Sequence, residues 1–162
     1  PGSDSSNVLS SWDVLSGAAK ANGHCVVIGG GLVGAETAEF LANNGCKVSI
    51  VEMMDKIAKE ESSTVLPYMM KDFAEHGVKQ YVNTKVMSIE ENGKVVKALN
   101  TVENNELTIE CDMVVMAAGS VKNVLDVEGV NVPLYYAGDC SGERTAGIAE
   151  AIRSGYKAGN EI

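Results

Sequence analysis

The 162-residue chain has no apolar run near the ~20 residues that a membrane span requires. It has little positive charge: 13 lysines and arginines stand against 22 aspartates and glutamates, a net charge of −9. That balance excludes the basic footprint of a binder of nucleic acid or anionic membrane. The first residues, PGSDSSN, lack the charged and apolar regions of a secretory leader and read as a tag or linker. The four cysteines, Cys25, Cys46, Cys111 and Cys140, include no C-x-x-C pair and no zinc or iron–sulfur spacing. Cys25 and Cys111 open apolar stretches and read as reduced core residues. Free thiols point to a cytoplasmic protein. With no resolving partner, none is read as a redox catalyst. No residue is assigned a catalytic or metal-binding role.

What is present is concentrated in Cys25 to Glu52, CVVIGGGLVGAETAEFLANNGCKVSIVE. Cys25 to Ile28 is a short β-branched run, as in a strand buried on both faces of a parallel sheet. Gly29, Gly31 and Gly34 follow in the spacing G-x-G-x-x-G. Leu32, Ala35, Ala38, Leu41 and Ala42 recur at helical spacing, and Gly45 stands where a helix C-cap belongs. Lys47 to Val51 is a second strand, and it ends on Glu52.

Each part has a physical task in binding a dinucleotide. Gly29 turns the chain sharply after the strand. Gly31 lets a pyrophosphate approach the backbone. Gly34 lets the helix pack closely on the strand. Gly30, Leu32 and Val33 complete the turn, and the helix start presents unpaired N–H groups to phosphate. Glu52 lies 23 residues past Gly29, near the roughly 20-residue offset of an acid that binds an adenosine ribose. A carboxylate accepts ribose hydroxyls and repels a 2′-phosphate. No arginine follows closely, so NAD is favoured over NADP. FAD stays open on this motif alone. Met53 and Met54 are placed to flank an adenine.

The rest of the chain is read in order. Val8 to Ala21 is weakly amphipathic, with Trp12, Val14 and Leu15 to cover an edge. His24 reads as a surface or strand-end histidine. Met53 to Glu61 reads as a solvated loop. Ser62, Ser63 and Thr64 are N-cap candidates for a helix that Pro67 places near Ser63 and that runs to about Glu75. Its stripe, Leu66, Met69, Met70 and Phe73, reads as core. Val78 to Val82 is a third strand. Lys85–Glu90, Lys94–Leu99 and Glu106–Ile109 form an antiparallel meander, with Asn92-Gly93 as a type I′ turn signal. Asp112 to Gly119 is a fourth strand whose small terminal residues, Ala118 and Gly119, leave room for a ligand. A last helix runs from about Thr145 to Gly159, with Ile148, Ala151, Ile152, Gly155 and Tyr156 on its buried side.

Together VVIGGGLVGAETAEFLANNGCKVSIVE, the meander, DMVVMAAG and YYAGDC resemble the pyridine-nucleotide domain of FAD/NAD-linked flavoprotein reductases. Within that superfamily, DVLSG and IVEMMDKIA are similar to bacterial NADH:flavin oxidoreductases of the 2,4-dienoyl-CoA reductase and 2-enoate reductase group. The resemblance implies a larger parent with an FMN barrel, an iron–sulfur cluster and an FAD domain. It implies that Gly138 and Asp139 match the FAD element whose aspartate binds the ribityl chain, and that Glu36 lies near the nicotinamide. Ser120-Val121-Lys122-Asn123 departs from the R-P-N that this family often carries.

The expected architecture is α/β: a Rossmann-like parallel sheet, helices on both faces, and a three-stranded antiparallel crossover. Residues 1–21 are expected to be a linker and edge segment, 22–120 the NAD(H) domain, and 121–162 the end of an FAD domain. Leu134 to Ala137 is expected to dock beside the fourth strand as a fifth. The expected function is an NADH-binding domain, with a dinucleotide and the parent's flavin domains as partners. The rivals are a disulfide-reductase or NADH-oxidase domain, and a non-catalytic NAD- or FAD-binding module.

Overall fold

The computed structural model describes residues 1–124, 127–141 and 147–161. The chain divides into two compact units, Pro1–Ala118 and Gly119–Ile162. The elements of the first are β1 (Val8–Ser10), α1 (Ser11–Ser16), β2 (His24–Ile28), α2 (Leu32–Asn43), β3 (Lys47–Val51), α3 (Leu66–Glu75), β4 (Lys79–Tyr81), β5 (Thr84–Glu90), β6 (Val95–Asn100), β7 (Asn105–Glu110) and β8 (Met113–Met116). A five-stranded sheet runs β1-β8-β2-β3-β4, parallel throughout, and β5-β6-β7 form a separate antiparallel sheet. This is the Rossmann-like architecture with the meander standing as a crossover.

Alternation within β2 explains the layers. Cys25 and Val27 pack on the helical side with Ala35, Ala38, Leu41 and Phe73. Val26 and Ile28 pack on the other side with Val96, Ala98 and Ile109 of the meander. Successive strand side chains point to opposite faces, so one β-branched run feeds two cores. Within this unit helices therefore cover one face and the meander the other, where helices were expected on both. Burial also raises the Cys25 thiol to about 12, with Cys46 beside it adding to the shift, and the Cys111 thiol to about 11. Both stay protonated at neutral pH.

Several boundaries differ from the sequence reading. The segment expected to be a linker supplies β1, which pairs with β8 at Val8↔Val114 through Ser10↔Met116. Ser10 Oγ then accepts the Trp12 amide at 3.2 Å and caps α1. Val14 is buried, whereas Trp12 is exposed. The edge beside β8 is thus taken, and Leu134 to Ala137 form no strand. Helix α3 begins at Leu66 because Ser62 Oγ and Ser62 carbonyl hold Val65 in a preceding turn. The first meander turn centres on Glu91 and Asn92, both at positive φ, with Gly93 N–H bonded to the Glu90 carbonyl at 3.0 Å. The type I′ pair is therefore one residue earlier than Asn92-Gly93. Strand β8 stops at Met116, although Ala117 N–H still reaches the Ile28 carbonyl at 2.8 Å.

In the second unit a 3₁₀ turn, Gly138–Cys140, packs on α4 (Ile148–Glu161), where Gly138 N–H donates to Ser154 Oγ at 2.9 Å. The expected helix start, Thr145, lies outside the described residues. Ile148, Ile152 and Tyr156 share one stripe of α4 and are exposed, contrary to their expected burial. The periodicity marks a face, and nothing among the described residues of this unit covers it. No helix among the described residues is long and apolar enough to cross a membrane.

His24 is more than a surface residue. Its Nε2 lies 2.9 Å from the Oγ of fully buried Ser49, tying the start of β2 to β3. Burial, then the Lys47 charge, holds its imidazole below the ordinary value, with the Glu110 carbonyl and Asp112 opposing. The unfolded chain therefore takes up the proton first as pH falls. Stability present above pH ~6.5 is lost progressively below it. Urea unfolding at pH 7.5 and 5.5 should show a smaller acid-side loss in His24→Gln than in the wild type; equal losses contradict this role.

Candidate dinucleotide site

The site forms where β2 ends and α2 begins. Gly29, at φ +100, donates its N–H to the Val51 carbonyl at 2.9 Å. A Cβ there would meet the Ala117 carbonyl and crowd the Ala118 Cα. A Cβ on Gly34 would strike the Gly29 carbonyl oxygen, so the helix sits directly on the turn. Gly31 differs: it is extended, at φ −66 and ψ −171, and nothing lies within 4 Å of where its Cβ would be. It is the N-cap of α2 and provides no side-chain cap. The helix start thus presents backbone N–H groups and the positive end of the helix dipole beside open space.

Gly30 is held from two sides. Its N–H donates to Glu52 Oε2 at 2.5 Å, and its carbonyl accepts the Ala58 N–H at 2.7 Å. Glu52 Oε1 accepts the Met54 N–H at 2.7 Å. The Glu52 backbone joins Tyr81 and Thr84, its N–H going to the Tyr81 carbonyl and its carbonyl accepting the Thr84 N–H, each at 2.8 Å. Glu52 is buried, yet each carboxylate oxygen keeps a further acceptor position beyond its one amide. A cavity of about 230 Å³ opens here, lined by Gly31, Leu32, Glu52, Met54, Lys56 and Lys59 among others.

The structure brings Gly29, Gly30, Gly31, Leu32, Val33 and Gly34 together at the turn and the first turn of α2, with Glu52 against them and Ala118 behind Gly29. Met54, rather than Met53, lines the cavity; Met53 is 65% exposed. Glu36 is exposed on α2 one turn beyond Leu32 and does not line the cavity. Gly119, Gly138 and Asp139 belong to the second unit. The acids and lysines of the segment after Glu52 are solvated, as expected, but Ile57 and Ala58 between them are buried on Gly30, with Ala58 at φ +48. The only sign in the sequence was the pair of apolar residues inside DKIAKE.

Chemically, the arrangement offers an open backbone and uncapped helix start to a diphosphate, and a fixed carboxylate to a hydroxyl-bearing sugar. It also predicts a stability effect. Glu52→Ala strands the buried Gly30 amide and should lower unfolding free energy by about 1–3 kcal/mol. Glu52→Gln, which keeps a carbonyl acceptor, should recover part of that loss. Equal melting temperatures for wild type and Glu52→Ala would show that the tie contributes nothing.

The family model of pyridine nucleotide-disulphide oxidoreductases matches residues 4–138. The chain is 44% identical to a bilirubin reductase from Mediterraneibacter gnavus, over 99% of this chain and 25% of the reductase. It is 34% identical to an NADH oxidase from Thermoanaerobacter brockii, over 96% of this chain and 24% of the oxidase. Among solved structures, a 2-naphthoyl-CoA reductase in complex with 2-naphthoyl-CoA superposes with a TM-score of 0.83 at 28% identity, covering 99% of this chain and 24% of that one. The 6-hydroxypseudooxynicotine amine oxidase of Pseudomonas geniculata gives 0.84 at 26% identity, covering 98% and 25%. The chain spans about a quarter of the length of these relatives. It belongs to the pyridine nucleotide-disulphide oxidoreductase family of flavin-dependent oxidoreductases, whose members bind NAD(H) and FAD.

Proposed function

We propose that the chain is the NADH-binding part of a flavin-dependent NADH oxidoreductase of the 2,4-dienoyl-CoA and 2-enoate reductase group. The observation that carries this is the pairing of the open backbone at Gly31 with the fixed carboxylate of Glu52. The kinship with a bilirubin reductase and the likeness to a 2-naphthoyl-CoA reductase support the subgroup. When bound, NADH supplies the hydride that a flavin takes up, and the protein's share is positioning.

In this reading Gly29 to Gly34 hold the pyrophosphate, and Glu52 accepts the adenosine ribose hydroxyls. Leu32 and Met54 flank the adenosine. Glu36, on the exposed side of α2, serves the nicotinamide end, as do Ala118 and Gly119. Residues 22–120, with β1 added at the edge of their sheet, are the NAD(H) domain. Residues 121–162 complete an FAD domain in the parent, with Gly138 and Asp139 on the flavin. The exposed stripe of α4 supports that assignment, since it needs a covering surface. FMN and the iron–sulfur cluster lie in the parent's other domains. A second reading, an NADH-oxidase domain, is favoured by the NADH oxidase relative; the two share this nucleotide site and differ in the electron acceptor.

Titration of the chain with NADH and NADPH, followed by heat or fluorescence, tests the proposal. NADH should bind at least about tenfold more tightly than NADPH, since the carboxylate repels a 2′-phosphate. Gly31→Ala should leave the melting temperature nearly unchanged, because its Cβ enters open space without positive φ. The same change should weaken NADH at least about tenfold by obstructing the pyrophosphate. Equal binding of NADH by wild type and Gly31→Ala would place the nucleotide elsewhere.

A further inference from the structure

Strand register sets the ends of four strands level. Ser10 of β1 pairs with Met116 of β8, Met116 with Ile28 of β2, and Ile28 with Val51 of β3. The next residues, Ser11, Ala117, Gly29 and Glu52, therefore share the carboxyl edge, where open parallel sheets bind ligands. Glu52 ends the strand one spacing, about 4.8 Å, to one side of β2, and β8 lies one spacing to the other. A dinucleotide carries one nucleoside on each side of its pyrophosphate. With adenosine on β3 and the pyrophosphate at Gly31, the second nucleoside falls over the end of β8, where Ala117 and Ala118 are small.

Strand β1 is the next one beyond β8, and Trp12 follows it directly. This is the chain's only tryptophan, and it is 62% exposed. Helix α1 buries Ser11 and Val14 instead, so the indole belongs to neither core cluster. Its backbone is nonetheless fixed. Ser10 Oγ accepts the Trp12 amide at 3.2 Å, and Gly17, at φ +78, ends the helix with its N–H on the Val14 carbonyl at 3.2 Å. Because β1 and β2 run in the same direction, the chain between them must return from the carboxyl edge to the amino edge, which puts the first turn of α1 at the carboxyl edge. Side chains on a helix lean toward its N-terminus, so the Trp12 ring leans toward that edge. On the adenosine side the exposed apolar residues of the edge, Leu32 and Met54, line the cavity; Trp12 is their counterpart across the turn. Its indole N–H has no partner among the described residues.

We propose that Trp12 is a binding residue for the nicotinamide half of the cofactor, its indole lying against the nicotinamide ring over the end of β8. The inference rests on the NADH-binding reading and extends it to a residue on the far side of the glycine turn. An indole offers a π face to a flat heteroaromatic ring, and its N–H can donate to the carboxamide oxygen. In the oxidised cofactor the ring is cationic and is drawn further to the indole face.

Calorimetric titration of the whole 162-residue chain with NADH, NAD⁺ and ADP-ribose tests this. ADP-ribose keeps the adenosine, the pyrophosphate and the second ribose and lacks only the nicotinamide. Trp12→Leu should weaken NADH and NAD⁺ about fivefold and leave ADP-ribose unchanged. Trp12→Phe, which restores a ring, should recover part of the loss. The single tryptophan also reports directly: NAD⁺, which does not absorb tryptophan emission, should quench it in a saturable way, and ADP-ribose should not. Melting temperatures should stay near the wild-type value, since the indole lies outside both cores. Undiminished NADH binding in Trp12→Leu, or an equal loss for ADP-ribose, overturns the inference and leaves the glycine-turn site standing. Failure of the wild type to bind any of the three overturns it together with the reading on which it rests.

Discussion

The end of the first unit that carries the glycine turn hangs on the two hydrogen bonds made by Gly30. One runs to the carboxylate at the end of β3, and the other comes from Ala58 in the segment that follows. A buried carboxylate is costly unless its oxygens are satisfied, and here two backbone amides satisfy them. Charge-assisted bonds of this kind are worth more than neutral ones. Because the Glu52 backbone also pairs with Tyr81 and Thr84, the same residue joins the glycine turn, the sheet and the entry to the meander. The turn therefore keeps its shape without a ligand. A site built this way is preorganised, since little chain entropy remains to be lost on binding.

Small residues make that geometry available. Ala35, Ala38 and Ala42 let α2 lie close on the sheet, and Gly34 brings its first turn against the Gly29 carbonyl. Any larger side chain at these points would lift the helix start away from the strand ends. The meander has a matching task on the other face. It returns the chain from β4 to β8 while burying Val26, Val51 and Val114, which would otherwise face water. A three-stranded ribbon can cover that face as a helix would, and it closes the sheet's lower edge with polar groups.

The sequence was informative where periodicity and local chemistry coincide. The β-branched runs at Cys25 to Ile28 and Lys47 to Val51, the glycine spacing and the position of Glu52 all depend on neighbours in the chain. Gly45, at φ +85 just past α2, is of the same kind. What was missed depends on partners distant in sequence. Three residues, Val8 to Ser10, carry too little pattern to announce a strand, and their pairing is decided by the bare edge of β8. Likewise, nothing local to DKIAKE specifies that Ala58 will bond Gly30. The turn at Glu91-Asn92 slipped by one residue because both of these residues, and Gly93 after them, adopt positive φ, so the composition signal does not fix the register.

The last helix shows the limit of pattern most sharply. Ile148, Ile152 and Tyr156 recur at i, i+4 and i+8, which defines an apolar face on a helix. Periodicity supplies the direction of that face and says nothing of what meets it. In α3 the equivalent stripe joins the core shared by β2, α2 and β3, and Met69 and Phe73 are buried. In α4 the stripe stays exposed, although its amphipathic pattern is no weaker to the eye. The difference lies in the surroundings: both buried clusters are drawn from the first unit, and the described residues of the second contribute to neither. Burial is a property of the pair of surfaces, so a chain spanning a quarter of its relatives can keep a well-packed glycine turn while leaving another face exposed.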